Sequence, residues 1–516
     1  MGIPSYYKKL ASSIKNLTVQ HHEPLKAKML LFDFNCMIYQ IIRDKTLRPF
    51  PGYADEVAAK EWELEVCEKI AEYTVNVWKE VGKPKTVFLG IDGVVPMAKI
   101  RQQRLRRFKS IWMADEECKR GIRTADPNRW DTNAITPGTA FMDRLATRLE
   151  ALCTTYGWTV SPASEPGEGE QKCMEFWRTH RGDEGDIVIY GLDADLILLC
   201  LLTRQILADR SAIWLFRETT EWEAGGGVAP FMRFSVNILS DTIVPTGADP
   251  LTWTLDYVAA MSLLGNDFVP HSLSIKIRDG GHTLLLTGLK RIHSLGQTLI
   301  VKKDGYWTYS PGALLELCRP WAADENQLVV TAIKHKGQRA GHDDWNLLPC
   351  IWRQEERVLC RERGVLHDDW IQRMYREWFG DGVVGDAVCK RYAEGLQWII
   401  DYYTAQRTVD PLWVYPWSLP PAWTSWVSYL ETDGTFPAGW TLPAEPLKAQ
   451  EQLAMVLPME SWHFIRDAGL RELPAKAPQF WPVNYTFFSA GRFFLWECEP
   501  EIPLLYLPTL RSLRIK

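Results

Sequence analysis

Residues 186–199, "DIVIYGLDADLILL", indicate the fold class of this chain. A short β-branched apolar run ends in Asp193 and Asp195, and a second apolar run follows directly. Apolar runs of this kind, set between amphipathic segments, are typical of buried parallel strands. Residues two apart on an extended backbone share one face, so both carboxylates are expected to point to the same side of the chain.

Two earlier runs repeat the pattern. "KMLLFDFN" ends its apolar run at Asp33, and "KTVFLGIDG" ends at Asp92. Between the runs, "EWELEVCEKIAEYTVNVWKEV" and "TAFMDRLATRLEALCTTYG" have helical periodicity. We therefore predict an α/β fold with a mostly parallel sheet flanked by helices. Sites in open α/β sheets lie outside the carboxyl ends of the strands, so these aspartates should gather at one edge.

The 516-residue chain, 46% hydrophobic, is long enough for two to four domains or one large elaborated domain. The sequence pattern changes from about residue 276, and we place an approximate domain boundary near residue 340. Residues 1–340 form the predicted first region, and residues 341–516 a mainly helical second region that packs on it. Within the second region, "RQEERVLCRERGVLHDDWIQRMYREWFG" and "CKRYAEGLQWIIDYYTAQ" are predicted helices.

Charge and cysteine content exclude several protein classes. A formal net charge of -5 offers no general polycation to nucleic acid, so anion binding must come from local patches. The 11 cysteines include no C-x-x-C pair, which argues against a zinc ribbon and favours a reducing intracellular compartment. The longest apolar run, residues 196–202, is too short to span a bilayer, and the N-terminus has no apolar signal core. We expect a soluble protein, with the cytoplasm as the default location.

An acidic set is the main candidate for chemistry. It comprises Asp33, Asp92, Glu168, Glu170, Asp193, Asp195 and Asp267. Carboxylates gathered at one sheet edge would repel one another, and hard divalent ions such as Mg²⁺ or Mn²⁺ relieve this repulsion. Two such ions about 4 Å apart clamp the attacking and leaving oxygens of a phosphodiester displacement, which indicates a nuclease that needs no separate general base.

Each acidic motif has a plainer interpretation when taken alone. A strand-end aspartate is commonly a helix N-cap or a turn residue. "GEGE" is also typical of a flexible acidic turn, and "LLGNDFVPH" of a helix that ends at Gly265 before a turn. The prediction of a metal site therefore depends on the conjunction of the motifs.

A basic segment, residues 99–109, "KIRQQRLRRFK", follows Asp92 closely. On a helix, one arc of about 100° collects four polar side chains, and an apolar face lies opposite. The polar arc holds Lys99, Gln103, Arg106 and Arg107, and the apolar face holds Ala98, Leu105 and Phe108. Three cations and an amide suit a terminal phosphate, although a solvated basic face is the alternative. The remaining cations, Arg101, Arg104 and Lys109, are predicted to be solvated surface charge.

Many motifs keep the order found in one known family. They are "MGIPSYY", "DFN", "DGVVPMAKIRQQRLRRF", "ITPGTAFM", "PGEGEQK", "GLDADLILL", "GNDFVPH", "YAEGLQWIIDYY", "WVYPW", "EQLAMVLP" and "FWPVNY". Across essentially the whole chain, the sequence resembles the Xrn family of 5′→3′ exoribonucleases. The resemblance implies a nuclease core related to the PIN and flap-endonuclease superfamily. It also implies processive degradation of single-stranded RNA from a 5′-monophosphate to mononucleotides.

Carried over motif by motif, the seven carboxylates match the family's Mg²⁺ ligands, and the four residues of the polar arc match its 5′-phosphate pocket. The family also stacks an aromatic pair on the first base. Trp398 of "GLQW" matches one partner, although a tryptophan of the helix core is its plainer interpretation. Tyr39 stands where the family usually has histidine, and Gln171 where "GEGEHK" is common. Tyrosine can still stack on a base.

Two other functions stay open. One is a flap-type or 5′→3′ DNA nuclease, which shares carboxylate chemistry at strand ends. The other is a catalytically inactive protein that binds RNA ends. The chain ends near the close of the second family region and resembles a minimal catalytic core. We expect it to act as a monomer without a membrane, with decapping machinery as a candidate partner.

Overall fold

The computed structural model describes residues 3, 5–44, 46–126, 128–180, 184–191, 193–219, 230–339, 344–360 and 362–515. Three residues of the "MGIPSYY" motif, Leu192 of "GLDADLILL" and the predicted boundary at residue 340 lie outside these ranges.

A seven-stranded mixed sheet forms the centre of the N-terminal region, with strand order β1-β7-β6-β5-β2-β3-β4. Its strands are β1 (Thr18–Gln20), β2 (Ala27–Asp33), β3 (Thr86–Gly90), β4 (Thr159–Ser161), β5 (Asp186–Tyr190), β6 (Ile213–Glu218) and β7 (Phe231–Ser235). The five strands β6, β5, β2, β3 and β4 run parallel to one another, and β7 and β1 add an antiparallel edge. The predicted α/β class with a mostly parallel sheet is confirmed.

Alternate residues of the central strands pack on opposite faces. Leu30 and Phe32 of β2 belong to one apolar cluster, whereas Met29 and Leu31 belong to another. Because both faces are covered, the strands are apolar along their whole length. The helices of the N-terminal region are α1 (Tyr6–Ser13), α2 (Asn35–Ile42), α3 (Glu56–Glu80), α4 (Met97–Lys119), α5 (Ala140–Tyr156), α6 (Gly169–Thr179), α7 (Asp195–Leu207), α8 (Val236–Ile243) and α9 (Pro250–Met261). Helices α3 and α5 cover the first face, and α6, α7 and α9 cover the second.

The remainder of the described chain is mainly helical. Its helices are α10 (Gly281–Ser294), α11 (Pro311–Ala323), α12 (Glu325–Gln338), α13 (Leu348–Trp352), α14 (Trp370–Trp378), α15 (Gly385–Thr404), α16 (Trp423–Thr432), α17 (Ala449–Val456), α18 (Ala468–Arg471), α19 (Leu473–Lys476) and α20 (Leu507–Ile515). Three small hairpins pair β8 (Ile300–Lys303) with β9 (Tyr306–Tyr309), β10 (Leu359–Cys360) with β11 (Val365–Leu366), and β12 (Phe487–Phe488) with β13 (Glu499–Pro500). Helix α15 confirms the prediction for "CKRYAEGLQWIIDYYTAQ".

The prediction of one helix across "RQEERVLCRERGVLHDDWIQRMYREWFG" is only partly correct. A single helical turn and the β10–β11 hairpin precede α14, because Gly364 takes a positive φ of 65° and reverses the chain. One apolar cluster contains side chains of α7 and α9 together with side chains of α15 and α16. The helical region therefore packs directly on the helices that cover the sheet. Within the described ranges no helix is long and apolar enough to cross a bilayer, and all 11 cysteines have free thiols.

Candidate active site

The carboxyl ends of β2, β3 and β5 bring the first acidic residues together. In the parallel register, Asp33 at the end of β2 is the partner of Gly90 at the end of β3. Asp92 follows two residues later and is held by two hydrogen bonds. The Asn35 amide donates to Asp92 Oδ2 at 2.9 Å, and the Gly169 backbone N–H donates to Asp92 Oδ1 at 2.7 Å. The expected convergence of strand-end aspartates is thus present.

Gly169 allows the start of α6 to approach these strands. A Cβ atom at this position would lie 2.5 Å from the Gly90 carbonyl oxygen and 2.8 Å from Asp33 Oδ1. Only glycine fits at that separation. The close approach places Glu168 and Glu170, which flank Gly169, beside Asp33, so the "GEGE" motif is part of the site and its alternative as a flexible surface turn is excluded.

Asp195 and Glu170 are buried with unpartnered oxygens. Asp195 begins α7 and is 0% exposed, and neither of its carboxylate oxygens has a hydrogen-bond partner in the described chain. Glu170 Oε1 is likewise buried without a partner there. Unpaired buried carboxylate oxygens are costly, and cation ligation is one of the roles that explain them.

Burial and mutual repulsion shift the acid strengths in this group. Burial raises the pKa of Asp195 to about 7. Burial, together with Asp92 and Asp193, raises the pKa of Asp33 well above its ordinary range. Burial raises the pKa of Glu170 well above its ordinary range, and repulsion by Asp195 is the next largest cause. These shifts favour the protonated forms of Asp195, Asp33 and Glu170, and binding of a cation would oppose them.

Lys99 reaches from α4 into the acidic group. Its Nζ lies 2.6 Å from Glu168 Oε2 and 2.9 Å from Asp267 Oδ2. Burial alone would lower the pKa of Lys99, but Asp267 and Glu168 hold it well above the ordinary value. Asp267 is positioned by an Asx turn, in which Asn266 Oδ1 accepts hydrogen bonds from the backbone N–H groups of Phe268 and Val269. Lys99, predicted for the phosphate pocket, therefore stands between that pocket and the carboxylates.

One cavity of about 1270 Å³ collects most of the predicted site. Its lining includes Asp33, Asp92, Glu168, Glu170, Asp193, Asp267, Lys99, Gln103, Arg106, Arg107 and Tyr39. Asp195 is the one predicted carboxylate that is absent from this wall, since it lies fully buried behind it. The acidic residues, the basic arc and the aromatic residue thus meet in a single space.

The basic arc lies along the cavity on α4, and the helix prediction is confirmed. Arg107 is buried and donates from Nη1 to Asn133 Oδ1 at 2.6 Å, and burial lowers its pKa to about 10. Asn133 in turn donates to Ser461 Oγ at 2.8 Å. Arg106 is partly exposed and has no ion pair or hydrogen bond within the described ranges. Gln103 is buried, and its Oε1 has no partner there.

Three cations of α4 do not fit the predicted solvated role. Arg104 is 1% exposed and donates to the carbonyl oxygens of Met455 and Phe480. Lys109 is buried too, and its Nζ donates to the backbone carbonyl of Cys498 at 2.7 Å. The prediction for both is wrong, because main-chain carbonyls of the helical region replace water around them.

Arg101 likewise bonds to the helical region, through Glu499 at 2.8 Å. The Arg101 side chain is mostly buried, so the prediction that it is a solvated surface charge is also wrong. These contacts fix α4, and with it the basic arc, against the second half of the chain.

The predicted stacking pair is only half present at the cavity. Tyr39 on α2 lines it. Trp398 is 0% exposed, and its Nε1 donates to the Asp410 carbonyl at 2.9 Å. The ring is enclosed by its neighbours in this structure and does not line the cavity, so the stacking role of Trp398 stays a prediction. Its ring instead stacks on Tyr402 at 4.7 Å, and the Tyr402 hydroxyl donates to Glu168 Oε1 at 2.7 Å.

The sequence prediction missed four supporting residues. They are Asn35, Gln102, Asn133 and Tyr402, each of which bonds to a predicted site residue. Asn35 lies inside the quoted "DFN" motif and could have been proposed from it. Asn133 and Tyr402 reach the site only through the tertiary fold, so no local pattern marks them.

The acidic group fits a hard divalent cation by its chemistry. All its members offer carboxylate oxygens, and both oxygens of Asp195 and Oε1 of Glu170 lack other partners in the described chain. The described residues do not, however, contain three Asp, Glu, His or Cys side chains already converged around one point. Two of the carboxylates, Glu168 and Asp267, are instead paired with the Lys99 ammonium.

Comparisons with known sequences show which proteins this chain resembles. Residues 1–213 match the family model described as XRN 5'-3' exonuclease N-terminus. A protein named 5'-3' exoribonuclease 2 from Debaryomyces hansenii is 34% identical over 287 residues, covering 45% of this chain and 29% of that relative. The protein of the same name from Yarrowia lipolytica is 32% identical over 327 residues, covering 52% and 32%. The matched segment thus spans less than a third of either relative.

Proposed function

We propose that this chain, whose residues 1–213 match the model of the Xrn 5′→3′ exonuclease N-terminus, is a member of that family and a 5′→3′ exoribonuclease. Its proposed substrate is single-stranded RNA with a 5′-monophosphate, and its products are mononucleotides. The observation that carries the proposal is the single cavity whose wall holds both the carboxylates and the basic arc of α4. Cleavage chemistry and recognition of a terminal phosphate are thereby adjacent.

The basic arc determines which RNA end enters. The Arg106 guanidinium has no ion pair or hydrogen bond to another described residue, and Arg107 is oriented by Asn133. A guanidinium fork matches two phosphate oxygens, and the amide of Gln103 can donate to a third. A 5′-hydroxyl end would leave the buried Arg107 without an anion, which disfavours its binding.

The carboxylates would hold the proposed cofactor, two Mg²⁺ ions, for which Mn²⁺ could substitute. Bound there, the ions would supply charge stabilisation for the attacking and leaving oxygens of a phosphodiester hydrolysis. Asp33, Asp92 and Asp193 offer oxygens at the strand ends, and Glu170 and Asp195 supply buried oxygens behind them. Tyr402 orients Glu168 by its hydrogen bond.

Tyr39 keeps the proposed role of stacking on the base of the first nucleotide. An aromatic platform adds about 1–3 kcal/mol per base and tolerates every base. After each cleavage, the next 5′-phosphate can occupy the arc while a new base reaches Tyr39. This repetition without dissociation is the proposed basis of processive degradation.

The test is a Mg²⁺-dependent assay of the whole chain on one RNA sequence with three different 5′ ends. The 5′-monophosphate RNA should be degraded to mononucleotides, whereas the 5′-hydroxyl and 5′-triphosphate forms should persist. A matched single-stranded DNA serves as the comparison substrate. Faster degradation of the DNA would replace the proposal by a DNA nuclease, and binding without any cleavage would indicate an inactive RNA-end-binding protein.

A further inference from the structure

Two exposed rings stand in the wall of the active-site cavity where its lining becomes solvent-exposed. Tyr53 is 38% exposed, His463 is exposed as well, and their ring centroids are 5.0 Å apart. Tyr53 lies in the loop before α3, and His463 lies in the single-turn segment Met459–Phe464 of the helical region. The two halves of the chain therefore build this aromatic pair together.

A column of buried rings supports the pair. The Tyr53 ring contacts Phe50 at 4.8 Å, Phe50 contacts Trp62 at 5.1 Å, and Trp62 contacts Trp130 at 5.6 Å. The Tyr53 hydroxyl accepts a hydrogen bond from the Asp131 backbone N–H at 2.9 Å. The ring is thus held by its hydroxyl and by its aromatic neighbours, while 38% of the residue remains exposed. A rigid, exposed aromatic face loses little entropy when a flat ligand stacks on it.

Cations lie on the same part of the wall. Arg43 and Arg129 are exposed and line the cavity, and neither has an ion pair within the described part of the chain. Arg43 lies over the Tyr39 ring, 5.9 Å from its centroid. Cations interleaved with exposed rings are typical of grooves that bind single-stranded nucleic acid.

We propose that Tyr53 and His463, flanked by Arg43 and Arg129, form a platform for RNA nucleotides on the 3′ side of the one being cleaved. The inference rests on the proposed exoribonuclease function. The continuous cavity wall from Asp33 to His463 supplies the path, because a strand whose 5′-phosphate lies on α4 must leave through the exposed part of that wall. Tyr39, adjacent to the carboxylates on α2, serves the first base, and the platform serves later ones.

Stacking, more than charge, drives binding at the platform. The same cavity is lined by Asp44, Asp126, Asp131 and Glu460 beside Arg43, Arg48 and Arg129, so this part of the lining carries no excess of cations. Few counterions are released when a strand binds such a surface, and salt dependence is correspondingly weak. The platform is also insensitive to sequence, because every base offers a π face.

The test measures binding by the full chain carrying Asp195→Asn, which is expected not to cleave. The probes are 5′-phosphorylated, dye-labelled oligouridylates of about 3 and about 12 nucleotides, a range set by typical single-strand site sizes. Adding Tyr53→Ala and His463→Ala should weaken binding of the long probe about 5- to 100-fold and leave the short probe unchanged. Tyr53→Phe retains the ring, so the Asp195→Asn chain with this change in place of the two alanine substitutions should bind the long probe as the parent does. Tyr506→Ala removes an equally exposed tyrosine outside the cavity wall and is the matched control.

Three outcomes contradict the inference. Unchanged long-probe binding in the double alanine variant shows that the rings do not contact RNA. Equal losses on both probes show that the rings act at the first nucleotide or through the fold. If the Asp195→Asn parent binds neither probe, the proposed function fails as well, and that result differs from a failure of the platform alone.

Discussion

Replacing Asp195 by asparagine should abolish cleavage and at the same time stabilise the metal-free protein at alkaline pH. Asp195 is fully buried, its two carboxylate oxygens have no hydrogen-bond partner among the described residues, and burial raises its pKa to about 7. Because the folded-state pKa lies above the unfolded value, the folded state holds the proton more tightly. The wild-type protein therefore loses free energy of unfolding as pH rises between the two pKa values.

The size of this loss follows from the shift. Between about pH 5.5 and pH 7, ionisation of Asp195 lowers the free energy of unfolding by about 2 kcal/mol, which is about 1.4 kcal/mol per pH unit. Above pH 7 its contribution is constant. Asparagine has nearly the same shape and no charge, so its contribution does not change over this window. For a chain of this length, about 2 kcal/mol corresponds to about 2 °C in Tm.

The assay is thermal unfolding in a chelator at about pH 5.5 and about pH 8, on either side of the Asp195 pKa. The difference in Tm between the asparagine variant and wild type should increase by about 2 °C from the lower to the higher pH. Asp44→Asn, at an exposed carboxylate of the same cavity whose pKa lies below both values, should show no such increase. Mg²⁺ should then raise the wild-type Tm more at the higher pH. A Tm difference that is independent of pH, or that decreases, would refute the assignment of Asp195 as a buried, uncompensated ligand.

Three further changes test separate parts of the site. Arg106→Ala with Arg107→Ala should reduce the preference for 5′-phosphate over 5′-hydroxyl RNA by about 10-fold or more, measured as a ratio of degradation rates, whereas an unchanged ratio would place the pocket elsewhere. Tyr39→Ala should shorten processive runs more than it slows one turnover, and an unaltered product-length distribution would count against stacking. Tyr402→Phe removes a hydrogen bond that lowers the pKa of Glu168, so the acidic limb of the pH–rate profile should move to higher pH. A profile that does not move would mean that Tyr402 serves only packing.

The sequence predicted the centre of the fold because the relevant signals are local. The apolar runs before Asp33, Asp92 and Asp193 form β2, β3 and β5, which are adjacent parallel strands. Each aspartate ends its strand or follows it closely. The antiparallel edge, β1 and β7, carries no such signal, since its strands are short and only partly buried. The turn at Gly364 divided a segment whose charge pattern is typical of a helix.

Helical periodicity placed the arc of α4 correctly but not its other cations. The angular position of Arg104 or Lys109 on the helix gives no information about which residues pack there. Backbone carbonyl groups more than 300 residues away in sequence accept their hydrogen bonds. Trp398 shows the same limit in reverse. Its motif implied a base contact, whereas the fold buries its ring under Tyr402.

The most direct test of the central claim uses an RNA with a 5′-monophosphate labelled at that terminal phosphate. The wild-type chain with Mg²⁺ should release the label as a nucleoside 5′-monophosphate from the first time point, with no labelled oligonucleotide, and Asp195→Asn should release none. Label that appears first in longer fragments, or release that persists in Asp195→Asn, would contradict 5′→3′ cleavage by these carboxylates.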